Sequence, residues 1–138
     1  MMKLSNPKKL LDLDSFLPSD GETRFDMSYS DGVLNLDIFY EVEGFDLGEA
    51  KKSIRFSRAK YFFKTPFPGY SFFTCLDDRD ISLLNSLVEY EHSDMLDMEG
   101  KSSGGADCRH YRLFLHSTGV AIHVIAQSCE ISNERQVV

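Results

Sequence analysis

Cys108-Arg109-His110 places a thiol and an imidazole two residues apart, which in an extended chain puts both on one strand face, with His116 further along. That is half of a metal site, or a nucleophile beside its base. Structural zinc draws four ligands in closely spaced pairs, and nothing in the chain supplies the second pair, so no metal and no cofactor are expected. A Cys-His nucleophile needs its two groups within hydrogen-bond reach, which spacing alone does not provide. Glu89-Tyr90-Glu91-His92-Ser93-Asp94 holds paired acids and a histidine, the parts for general acid–base work, but the same residue types are ordinary on an exposed loop. Gly100-Lys101-Ser102 lacks the upstream glycine of a phosphate-binding loop and follows no clear strand, so residues 100–106 are expected as a flexible loop. His123 falls on the strand face opposite Val120, Ile122 and Val124, where it faces solvent or pairs across a hairpin; a structural role is expected. Cys75 and Cys129 read as small buried hydrophobes. No catalytic residue is assigned, and the chain is read as not an enzyme.

One segment carries a different chemistry. Arg55-Phe56-Ser57-Arg58-Ala59-Lys60-Tyr61-Phe62-Phe63-Lys64 interleaves bases with aromatics, which is what a stacking platform for single-stranded nucleic acid requires. Arg55, Arg58, Lys60 and Tyr61 would form it. Opposing this, several of those rings are needed for a core, and the chain's net charge of −7 weakens phosphate attraction.

The elements that must position these groups follow from periodicity. Asn6-Pro7 opens a short helical turn through Leu11, and Pro18-Ser19-Asp20-Gly21 breaks it, which sets residues 1–22 apart as an N-terminal arm with a short helix. From Thr23 the period becomes two. Phe25, Met27 and Tyr29 share a face, Ser30-Asp31-Gly32 turns, and Leu34, Leu36, Ile38, Tyr40 and Val42 form the returning strand, with Asn35, Asp37 and Glu41 mostly facing water. After the linker 43–49, Ile54 and Phe56 alternate in one phase while Ala59, Tyr61 and Phe63 follow the other, so a β-bulge is expected near Ser57-Arg58. Thr65 to Gly69 turns, and Tyr70 to Cys75 is a further short strand. Asp80 to Leu87 fits a helical face that runs into extended chain toward Tyr90. Tyr111, Leu113 and Leu115, the turn Ser117-Thr118-Gly119, and Val120, Ile122, Val124 and Ala126 make a closing hairpin.

The chain has 138 residues, 42% apolar and 27% charged, the composition of a soluble globular domain. Three cysteines without a CxxC pair exclude a disulfide framework and fit a reducing cytoplasm. No apolar run reaches the length of a signal peptide or membrane span, so neither export nor membrane insertion is expected. The charge is polarised. Residues 77–99 carry eight acids against Arg79, while residues 51–64 carry six bases and no acid. Either is a solvated face or a docking surface that steers a partner of opposite charge.

Taken together, an aromatic strand with a Pro-Phe-Pro-Gly turn, the acidic segment 89–94, His110-Tyr111-Arg112-Leu113 and a hairpin ending Val124-Ile125-Ala126-Gln127-Ser128 resemble the small acidic α+β immunity proteins that bacteria make against their own polymorphic or contact-dependent toxins. The resemblance covers Phe56 to Ile131. It implies a cytoplasmic, non-enzymatic inhibitor of one cognate basic protein, such as a toxin nuclease domain. No binding residue transfers by motif. On charge alone Glu89, Glu91, Asp94, Asp97 and Glu99 are assigned to the contact, with Tyr90 as its aromatic anchor. The alternative function is the single-stranded nucleic-acid module above. The expected fold is a single α+β domain over residues 23–138, mainly an antiparallel sheet of about six strands with one or two short helices. Its expected core is Leu34, Leu36, Ile38, Tyr40, Phe56, Phe63, Phe72, Leu113, Leu115, Ile122 and Val124.

Overall fold

A computed structural model describes residues 4–18, 21–41, 48–66, 83–96, 108–132 and 135–136. The chain is largely β, and helix is minor. Among the described residues, ten strands run in the order β1 (Leu4–Asp12), β2 (Arg24–Ser30), β3 (Val33–Glu41), β4 (Glu49–Ser57), β5 (Tyr61–Pro66), β6 (Ser86–Ser93), β7 (Arg109–Leu115), β8 (Val120–Ala126), β9 (Ser128–Ile131) and β10 (Arg135–Gln136), with a short helix α1 (Leu13–Phe16) between β1 and β2. They build two antiparallel sheets. Sheet A has the order β1-β6-β7-β8-β5; sheet B has β10-β4-β3-β2, and β9 also pairs with β4. The expectation of an α+β domain with about six strands is corrected to a largely β chain with two sheets and ten strands among the described residues.

Leu34, Leu36, Ile38, Tyr40, Ile54 and Phe56 of sheet B share one apolar cluster with Tyr111, Leu113, Leu115, Ile122 and Val124 of sheet A, so the two sheets pack face to face. Phe56 and Tyr111 meet across that interface at 5.4 Å between ring centres. Lys52, on the inner side of β4, lays its stem along Phe16 and Tyr40 and donates to the Phe16 carbonyl, which closes one end of the core with α1. Of the expected core, Phe63 is the exception among the described residues, because β5 is an edge strand and leaves it 37% exposed. Phe72 lies outside the described residues, as do the strand expected at 70–75 and the loop at 100–106.

Two local readings are corrected by pairing partners that lie far away in sequence. The helical turn expected at residues 6–11 is strand β1, because its backbone pairs with β6 from Leu4↔Ser93 to Asp12↔Ser86. The helix expected from Asp80 to Leu87 gives way to β6 from Ser86; residues 80–82 are outside the described set. Both hairpins form. β2 and β3 join through Asp31 and Gly32, with φ of +52° and +80°, the pair of left-handed residues that a tight twisted hairpin demands. β7 and β8 join through a turn at 116–119, whose Ser117 and Thr118 backbone N–H groups donate to the buried carboxylate of Glu22 at 2.8 and 3.1 Å.

The expected bulge at Ser57-Arg58 is a corner of the whole molecule. β4 pairs with β9 in sheet B up to Ser57↔Ser128, and β5 pairs with β8 in sheet A from Tyr61↔Ile125. One long two-stranded ribbon therefore passes from one sheet to the other, with one more residue on the 57–61 side than on its partner. Arg58 takes the strained position at φ +53°. The ladder is held across the bend by Gln127 N to Ser57 O at 3.0 Å and Lys60 N to Ile125 O at 2.7 Å, and the β2–β3 turn is pinned to it by Ala59 N to Gly32 O at 2.8 Å. The inward positions keep their parity from β4 to β5, Ile54 and Phe56 and then Phe62, and change it from β8 to β9, Val124 and Ala126 and then Cys129. Arg55 therefore faces outward from sheet B and Tyr61 outward from sheet A; the expectation that Tyr61 and Phe63 take up a second inward phase is corrected.

A glycine at position 58 removes the left-handed strain that arginine bears there. Arg58→Gly is expected to leave stability unchanged or raise it by up to about 1 kcal/mol, whereas the β-branched Arg58→Val lowers it by roughly 1–2 kcal/mol. Urea unfolding of the two variants checks this, and equal midpoints would remove the corner strain from the account.

Candidate functional site

β7 and β8 are buried on both faces, and this decides where the chemistry-bearing residues go. Their inward side chains fill the core between the sheets. Their outward ones, His110, Arg112 and Phe114 on β7 and Ala121, His123 and Ile125 on β8, are also buried, as are Val88 and Tyr90 on β6. The polar members form one hydrogen-bonded network. His110 Nδ1 lies 2.8 Å from Ser93 Oγ, and its Nε2 lies 2.9 Å from His123 Nδ1. Arg112 donates Nε to the Tyr90 hydroxyl at 3.1 Å and a terminal N–H to the Leu83 carbonyl at 3.0 Å, while its guanidinium lies over the Phe114 ring at 4.1 Å. Tyr90 meets His110 edge-on, and Phe63 stacks on His123 with ring centres 5.0 Å apart.

Both imidazoles are held neutral. Burial, then the neighbouring His123, then Arg112 push His110 down from 6.5 to about 3. Burial and Arg112 push His123 down to about 4. A neutral imidazole donates at one nitrogen and accepts at the other, which is what a ring set between a hydroxyl and a second imidazole requires. Ser93–His110–His123 thus has the order of a nucleophile, a base and an orienting group. It does not have their electrostatics: a base with a pKa of about 3 is far too weak near neutral pH, and Ser93 is buried with its Oγ also accepting the Leu96 N–H at 3.1 Å. The network locks β6, β7 and β8 together and caps the helical turn at 94–96.

The thiol–imidazole idea from Cys108 and His110 is not assembled: His110 bonds to Ser93 and His123, and His116 bonds the Leu84 carbonyl at 3.1 Å. Cys108 is buried and Cys129 is partly buried, and neither is in a disulfide. Of His123's two expected alternatives the structure has the cross-hairpin one, reached diagonally. Among the described residues no three His, Cys, Asp or Glu side chains gather at one point.

The acidic contact set is divided. Tyr90 is 1% exposed and cannot anchor a partner, because it is spent on Arg112 and His110. Glu89 pairs with Arg109 at 3.3 Å and is largely covered. Glu91 is exposed beside His92, and Asp94 is half-buried. Asp97 and Glu99 lie outside the described residues. The nucleic-acid set is divided too: Arg58, Lys60 and Tyr61 gather at the corner, but Arg55 points from the opposite side of the sandwich, so the four do not form one platform.

A surface that sequence reasoning missed lies at the open side of the sandwich. β2 and β5 are edges of their sheets, and side chains of the two meet there. Tyr29, Tyr61, Phe62 and Phe63 are exposed by 50, 48, 39 and 37%. Phe62 reaches the Tyr29 ring at 5.4 Å, Tyr61 and Phe63 face outward from sheet A, and Lys64 lies over Phe25 at 5.4 Å. Arg58 and Lys60 are exposed at the rim. The signal in the sequence was Tyr61-Phe62-Phe63 itself: three consecutive aromatics cannot all enter a core from one strand. No family model, curated protein or solved structure matches the chain. Among the described residues, no helix is long and apolar enough to cross a membrane.

The histidine pair gives the fold an acid limit. Because both folded-state pKa values lie below 6.5, the unfolded chain binds more protons, and the stability these groups contribute is full above about pH 7.5 and lost as pH falls from about 6.5 toward 4. The stability of the native chain is expected to depend on pH there with a slope approaching two protons, and that of His123→Phe with a slope nearer one. Denaturant midpoints at several pH values measure it, and equal slopes would show that the pair is not the source.

Proposed function

We propose that this chain is a non-enzymatic protein-binding domain of the bacterial immunity type, which inhibits a cognate toxin by docking its open aromatic edge on it. The observation that carries this reading is the cluster of Tyr29, Tyr61, Phe62 and Phe63, exposed together at two adjoining sheet edges. Contiguous exposed apolar surface marks interaction sites, and tyrosine and other aromatics dominate the energetics of interfaces. An edge strand also offers unpaired backbone N–H and C=O groups to a partner's strand.

The partner is a basic protein. A net charge of −7 steers it at long range, and Glu91 and Asp94 stand at the same end of sheet A as Lys60, about three strand spacings or ~14 Å away. Arg58, Lys60 and Lys64 then select acidic side chains close to the aromatic contact. A second copy of the chain is a poor occupant, because a two-fold pairing of β5 centred on Phe62 sets Lys60 against Lys64 of the other copy. The same cations and rings support the second reading, a weak single-stranded nucleic-acid site at Arg58, Lys60 and Tyr61.

The purified chain, immobilised and exposed to a lysate of its source cells at low and moderate salt, is expected to retain one basic protein and to inhibit its activity. With that partner in hand, Tyr61→Ala and Phe62→Ala are each expected to weaken binding by about tenfold or more. Charge reversal at Glu91 and Asp94 should slow association and make it less sensitive to salt. Retention of RNA or single-stranded DNA alone, lost in Lys60→Glu, would replace this reading with the second one; a partner whose affinity ignores both aromatic truncations would remove the edge from it.

A further inference from the structure

The outer face of sheet B carries a groove of about 550 Å³, which is within the size range of small-ligand sites. Register places Ser28, Asn35, Arg55 and Glu130 in a single row across β2, β3, β4 and β9, all on this face. The row beside it is rigid. Asp37 accepts from Asn35 Nδ2 at 2.9 Å and from the Ser53 hydroxyl, and the Ser132 hydroxyl accepts the Ser53 N–H at 2.9 Å. The floor of the groove is thus a hydrogen-bonded set whose side chains have fixed positions.

Arg55 and Glu130 behave differently. They face each other across the β4–β9 ladder, where opposed side chains start only about 5 Å apart, yet among the described residues neither makes an ion pair or a hydrogen bond. A cation and an anion therefore line one groove, side by side and unspent. A ligand that satisfies both carries an anionic group directed at Arg55 and a cationic group directed at Glu130. Arg55 can grip a carboxylate through two parallel N–H donors, and Glu130 can accept from an ammonium. Asp31 and Glu130 in the lining oppose a polyanion, and the lining residues among those described include no aromatic on which a sugar ring would stack.

We propose that this groove binds a small zwitterion of the amino-acid or short-peptide class, with its carboxylate on Arg55, its ammonium on Glu130 and its backbone over Asn35 and the serines. The site lies on the face away from the exposed outer aromatics Tyr61 and Phe63, so it stands or falls separately from the protein-docking reading.

An amide-resolved NMR titration of the full chain tests it, with triglycine, acetate, methylammonium and inorganic phosphate as probes. Triglycine is expected to give saturable shifts centred on Ser28, Asn35, Arg55 and Glu130, at lower concentration than acetate or methylammonium. Arg55→Met and Glu130→Gln should each weaken it by about tenfold, equivalent to about 1.4 kcal/mol, with the rest of the spectrum unchanged because both side chains are exposed. Phosphate acting on the same signals as tightly as triglycine would make this an anion site and overturn the zwitterion assignment. The absence of any saturable shift with triglycine would overturn the site.

Discussion

The architecture depends on one irregular step, the extra residue at the Ser57–Tyr61 corner. A ribbon of two antiparallel strands that stayed in register would leave both halves in a single sheet with one continuous inner face. The added residue, with Arg58 at φ +53°, turns the ribbon and shifts its pairing by one, so that Phe56 with Cys129 in sheet B and Phe62 with Val124 in sheet A both face the space between the sheets. The backbone bonds across the bend and the anchoring of Ala59 to Gly32 hold a conformation that arginine does not favour in isolation. The rest of the chain attaches to that frame: β2 and β3 extend sheet B, while β1, β6 and β7 extend sheet A.

The two sheets solve the burial problem in different ways. Sheet B is a one-sided sheet, apolar toward the core and polar outside, and its outer rows of serine, asparagine, aspartate, lysine and arginine stay near water. Sheet A is buried on both faces through β7 and β8, which forces polar residues into a place where each donor and acceptor needs a partner. His110, His123, Ser93, Tyr90 and Arg112 meet that demand among themselves and with backbone carbonyls. The cost is a fold sensitive to acid, because protonating either ring adds a buried charge near Arg112.

Function on this scaffold is a matter of edges and faces. The aromatic strip exists because β5 and β2 are terminal strands among the described residues, which leaves Tyr61, Phe62, Phe63 and Tyr29 exposed. The zwitterion groove exists because β9 returns to sheet B beside β4 and brings Glu130 opposite Arg55. Neither surface uses the residues with the most conspicuous chemistry. Those are consumed in structure, and Tyr90 shows why: its position beside acids suggested an anchor, but its phenol is the partner of Arg112.

What the amino-acid sequence determined by itself was local. The hairpins at Asp31-Gly32 and Ser117–Gly119, the inward set Leu34, Leu36, Ile38 and Tyr40, the strands of the closing hairpin, and an irregularity at Ser57-Arg58 are all legible in it, though the side that Tyr61 and Phe63 face is not. Alternation and turn chemistry act between near neighbours and need no knowledge of the remainder. Tertiary structure alone decided that residues 4–12 form a strand, because their backbone partner in sheet A is β6, some eighty residues away. It alone decided that the irregularity at Ser57-Arg58 is a corner between two sheets, that His110 finds His123 and not Cys108, and that Arg55 and Tyr61 part company. Each of these depends on which strand becomes a neighbour and whether a second layer covers the face, and long-range pairing leaves no trace in spacing.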